Sequence, residues 1–139
     1  MLSPFDLTPG QPLAPATFTI TMKEARAYVQ AVGDTSAVYQ QAAAPLPPLL
    51  LAARGLQLLM AQVEIPPGTV HGSQECEFFQ PAYAGRPLNL TASVPRAATR
   101  QGQRFVTLEM ELFDDGAPVC RGRAALIIPA RGKGDDPAG

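Results

Sequence analysis

An α+β fold, with a curved antiparallel sheet wrapped around one central helix, is what this sequence predicts, and three observations carry it. Residues 49–63 (LLLAARGLQLLMAQV) are apolar on almost every side, with Arg54, Gln57 and Gln62 the only polar side chains. A helix of that character belongs inside a protein, buried on most of its surface. Most of the chain after it alternates with period two, the pattern of strands with one buried face. The helical patterns precede four of the strands instead of alternating with them, which points to an antiparallel sheet rather than βαβ units.

The bulk properties fit that picture. With 139 residues, 46% of them hydrophobic, the chain can build one real core. A net charge of -1 and the lack of a Lys/Arg cluster argue against nucleic acid or an anionic membrane as partner. The longest apolar run, residues 49–53, is far too short to span a bilayer. The start, MLSPFDLTPGQ, lacks the basic and apolar regions of a secretory leader, so a reducing cytoplasm is the expected setting. There Cys76 and Cys120 are expected as free core thiols.

Element by element, residues 1–16 carry four prolines and little pattern and are expected as an extended arm, followed by one domain at 17–129. Residues 17–20 suit a short first strand. Thr21-Met22-Lys23-Glu24 fits a capping box. Met22, Ala25, Val29 and Val32 continue at helical spacing, and Gly33 suits the left-handed residue after a helix end. The stretch 34–48 is a connector with a helical turn at 39–43. Pro47-Pro48 introduce the central helix, and Gly55 inside it implies close approach to a strand. Alternation then runs through 74–79, 88–94, 106–112 and 119–128, with turns at 81–85, 99–103 and Asp114-Asp115-Gly116. Residues 130–139 are polar, Gly-rich and expected to fray. A sheet curled around a central helix is the hot-dog arrangement. A cone-shaped, cystatin-like sheet is the competing architecture.

Three segments carry a family resemblance. ARAYVQAVGDTSAVY (25–39) resembles the helix, Gly-Asp, Asn-Pro and His segment of MaoC-like hydratases. PLPPLLLA (45–52) resembles the Pro-Pro lead-in to their central helix, and HGSQECEFFQPAYAGRP (71–87) their His-Gly-x-Gln-Glu strand followed by Pro-x-x-x-Gly. Order and spacing match over roughly 17–128, with the greatest likeness to the N-terminal, FAS1-type dehydratase domains. The resemblance implies a hot-dog dimer, no cofactor, and an acyl-CoA or acyl-ACP site between two hot dogs. Active members hydrate trans-2-enoyl thioesters or dehydrate (R)-3-hydroxyacyl thioesters. An Asp and a His on the overhanging loop handle water and proton, and amides at the central helix N-terminus face the thioester carbonyl.

Residue by residue, the correspondence is incomplete. Asp34 stands at the catalytic Asp, but Tyr39 stands where the His belongs, and Ser36-Ala37 replace Asn-Pro. Histidine, with a reference pKa of ~6.5, can take and give a proton near neutrality; tyrosine, at ~10, is a poor base. Losing a general acid/base typically costs about two to four orders of magnitude in rate. Asp34 then reads either as residual catalysis or as a cap on the next turn, and Tyr39 as a packed ring with one hydrogen bond. The amides of Leu49 and Leu50 are candidate donors to a thioester oxygen. Arg54 and Gln57, one turn apart, either line an acyl channel or satisfy carbonyls. His71, the only histidine, either contacts the thioester at a subunit interface or is a strand histidine with a hydrogen bond. One His and two distant Cys carry no zinc spacing. Arg121 and Arg123 share a strand face, set to pair with Glu109 or Glu111 or to meet CoA phosphates.

Three functions follow. The first is a non-catalytic acyl-thioester subunit, in a heterodimer with a His-bearing MaoC-like chain. The second is a divergent enoyl-CoA hydratase or a thioesterase using Asp34 or Glu64. The third is a homodimer that binds acyl-CoA without turnover.

Overall fold

Two prolines set where the central helix begins. Pro47 is extended and Pro48 takes the first helical position, where a missing N–H costs nothing. From there the chain, a computed structural model describing residues 1–131, forms α2 over Pro48–Met60. Before it come β1 (Gln11–Phe18), α1 (Met22–Val32) and a 3-10 turn at Ala37–Gln40. After it come β2 (Val70–Phe78), β3 (Leu88–Arg100), β4 (Gln103–Asp114) and β5 (Ala117–Ile128). The expected frayed tail falls, from residue 132 on, outside the described residues.

The five strands form one antiparallel sheet in the order β1-β3-β4-β5-β2. Alternation on β4 turns Val106, Leu108, Met110 and Leu112 inward, where all four are buried. Leu88, Leu90 and Val94 of β3 and Ala124, Leu126 and Ile128 of β5 join them. Helix α2 lies against β4 and β5 on this face, burying Leu50, Leu51, Ala52, Gly55 and Leu59. The Met110 side chain explains Gly55: a Cβ there would stand 2.7 Å from its Cε. Gly122 on β5 leaves room for the same side chain, its Cβ position being 2.8 Å from that Cε.

Two expectations needed correction. The arm at 1–16 does not merely lie on the surface: β1 starts at Gln11, paired with Val94, and Leu7 and Leu13 are buried. Prolines are tolerated there because β1 is an edge strand, and a bulge between Leu13 and Ala16 takes up Pro15. The central helix is not covered all round. Leu49 is 63% exposed, and Ala53 and Gln57 continue the open stripe one and two turns on. The sheet can cover only the side of α2 that faces it.

Candidate functional site

Helix α1 and the loop after it border a cleft of about 690 Å³. The helix is placed by its start. The Glu24 amide donates to the Thr21 hydroxyl at 3.1 Å, and the Thr21 amide donates to the Glu24 carboxylate at 2.9 Å. Glu24 also pairs with Arg54 of α2 at 3.3 Å, which ties the two helices together. At the other end Gly33, at φ 71°, reverses the chain, and the Asp34 amide reaches back to the Val29 carbonyl at 3.1 Å.

Asp34 and Tyr39 both line this cleft. The Asp34 carboxylate accepts the Ser36 amide at 2.9 Å. Hydrogen bonds from the Ser36 hydroxyl and amide hold its carboxyl below the usual aspartate range. Asp34 thus shapes the turn that delivers the 3-10 segment, in which half-buried Tyr39 donates its amide to the Ser36 carbonyl. Pro47, just ahead of α2, completes the far wall. The Leu50 and Leu51 amides both donate to the Pro47 carbonyl, at 3.1 and 3.3 Å. Of the two candidate thioester donors, only the Leu49 amide has no intrachain acceptor among the described residues.

Leu49, Leu50, Arg54, Gln57 and His71 do not line the cleft. Arg54 stands 6.0 Å over the Phe18 ring besides its Glu24 pair, so it joins α1, β1 and α2. Gln57 is exposed on the open stripe of α2. His71 is exposed on β2, its Nε2 3.0 Å from Gln74 Oε1. Glu64 borders a separate cavity of about 830 Å³ with Phe5, Ile65 and Pro129. Cys76 is half-buried and Cys120 buried, both free; burial first, then the nearby Cys76, pushes the Cys120 thiol up to about 12. Sequence reasoning missed Arg26, the cation among the residues that line the cleft. The signal was present: Arg26 lies four residues after Met22 and three before Val29, on the same helix face.

A five-stranded curved antiparallel sheet around one helix defines the hot-dog class, and solved structures agree. The (R)-hydratase of Pseudomonas aeruginosa superposes with a TM-score of 0.72 at 20% identity, over 91% of this chain and 84% of that one. An A. caviae (R)-hydratase involved in PHA biosynthesis gives 0.70 at 21%, over 89% and 98%. The Mycobacterium tuberculosis HadBC complex, a 3R-hydroxyacyl-ACP dehydratase, gives 0.66 at 20%, over 86% and 98%. At these identities the likeness shows the fold. The family is shown by sequence: residues 8–121 match the FAS1-like dehydratase domain region, and the chain belongs to that family. A UPF0336 protein of Saccharopolyspora erythraea is 37% identical over 71 residues, a stretch that spans 50% of this chain and 44% of that relative.

Proposed function

We propose that the chain binds an acyl-CoA or acyl-ACP of the (R)-3-hydroxyacyl or trans-2-enoyl type, as a non-catalytic subunit or half-site. The observation that carries this reading is that Asp34 and Tyr39 line the same cleft. The phenol replaces the proton shuttle, and the carboxylate is engaged by Ser36. The chain's one histidine, His71, lies on β2 away from that cleft. What remains suits holding a substrate: an apolar wall from Met22, Ala25 and Val29, and the Arg26 cation.

Activity on this reading needs a second MaoC-like chain with an intact Asp/His pair, and the setting is cytoplasmic. No described helix is long and apolar enough to cross a membrane. The test is hydration of crotonyl-CoA by the chain alone and after mixing with such a subunit. Turnover should appear only in the mixture; robust turnover by the chain alone rejects the reading. The competing reading, a divergent hydratase, rests on Asp34 lining the cleft and requires that turnover be lost in Asp34→Ala. The thioesterase version draws less support, because Glu64 and Asp34 border different cavities.

A further inference from the structure

The face of α1 that borders the cleft is split lengthwise. Met22, Ala25 and Val29 form an apolar row, and Arg26 and Gln30 run beside it one turn apart. The loop after the helix supplies the same two kinds of surface. Ala44, Pro45 and Pro47 are apolar, while Gln40 and Gln41 are polar. The side chains of Gln30, Gln40 and Gln41 take no hydrogen bond among the described residues, and all three are exposed. A cleft of about 690 Å³ is of the size that holds a small-molecule ligand.

Arg26 is the one cation lining this cleft, and no other described residue engages it. Among the described arginines, only Arg26 and Arg96 take no hydrogen bond, ion pair or ring contact. Arg96 lies on β3, away from the cleft. Asp34 is the one acid lining the cleft, and its carboxylate is taken by the Ser36 amide at 2.9 Å rather than by Arg26. The cleft therefore offers a guanidinium without a counter-ion, beside amide side chains without partners and an apolar wall.

A ligand that matches all three surfaces is apolar along part of its length, carries neutral amides, and ends in one anion. A glutamine side chain both donates and accepts, as an amide ligand requires. A guanidinium presents its donors as a fork that fits two phosphate oxygens. We propose that Arg26 binds the phosphate of the phosphopantetheine arm, the one phosphate that acyl-CoA and acyl-ACP share, and that Gln30, Gln40 and Gln41 serve the amides of that arm. This rests on the reading of the cleft as an acyl-thioester site. One cation serves one phosphate, so the further phosphates of the CoA nucleotide gain nothing from Arg26, and the two carriers are held alike.

The test is calorimetric titration with saturated thioesters, which undergo neither hydration nor dehydration. Butyryl-pantetheine, butyryl-phosphopantetheine, butyryl-CoA and butyryl-ACP are titrated at low salt into wild type and into Arg26→Gln, after circular dichroism confirms folding. Wild type should bind butyryl-phosphopantetheine roughly tenfold more tightly than butyryl-pantetheine, and high salt should shrink the gap. Arg26→Gln should close that gap, and should weaken butyryl-CoA and butyryl-ACP by the same roughly tenfold factor. Equal binding of the two pantetheine thioesters by wild type overturns the proposal, as does a gap that survives in Arg26→Gln. A loss confined to butyryl-CoA also overturns it, because the nucleotide would then be the group that Arg26 meets. Binding without any phosphate preference removes this proposal and leaves the acyl reading standing, whereas failure of all four thioesters to bind wild type removes both.

Discussion

The β3–β4–β5 region and the β2 edge are built from similar alternating sequence, yet they end in opposite environments. On β4, inward residues such as Leu108 are fully buried under α2. On β2, every residue but Cys76 is exposed, including Phe78 and the Gln74–His71 pair. The same period-two pattern therefore closes a core in one place and leaves a face open in the other. Strands under α2 hold the fold together. The edge, with the open stripe of α2, is where surface is left to meet something else.

The comparison sharpens if the two regions respond differently to truncation. Leu108→Ala should cost about 2–5 kcal/mol in denaturant unfolding, since it leaves a cavity in a dry core. Gly55→Val should cost about 1–3 kcal/mol by displacing Met110, with part of the loss returned when Met110→Ala is added. Thr21→Ala removes the helix cap that positions the cleft and should cost about 1 kcal/mol, read as a lower melting temperature. Phe78→Ser on the open edge should change the stability of the isolated chain by no more than about 0.5 kcal/mol. A loss at Phe78 as large as that at Leu108 would break the contrast.

The cleft adds a pH signature. The Asp34 carboxyl titrates below its ordinary range because its ionised form accepts the Ser36 hydrogen bonds. Its contribution is fully present above the unfolded aspartate value of about 3.9 and is lost as pH falls through the lower folded value. Asp34→Asn should therefore lose less stability than wild type on acidification, measured by denaturant melts across that range.

Much of the fold was legible because local chemistry determined it. The Thr21/Glu24 box, the left-handed Gly33 and the Asp115-Gly116 hairpin turn, at φ 49° and 80°, each need only neighbouring residues. Gly55 was readable as a close approach, though Met110 as its neighbour was not, because that contact crosses 55 positions in sequence. The start of β1 was hidden by Pro12 and Pro15, which a central strand would not accept and an edge strand does. Asp34 and Tyr39 were singled out by the resemblance to MaoC-like hydratases, and the structure puts both on one cleft. Arg54 was misleading in isolation: its partner Glu24 lies on another helix, and only folding brings the two together.

The most direct test follows binding and chemistry in one sample. Crotonyl-CoA is titrated into the pure chain by calorimetry while the enoyl absorbance is monitored, with and without a MaoC-like subunit that carries the Asp/His pair. The account expects the absorbance to hold steady with the chain alone and to fall once the second subunit is present. Steady loss of absorbance with the chain alone, abolished by Asp34→Ala, would contradict it.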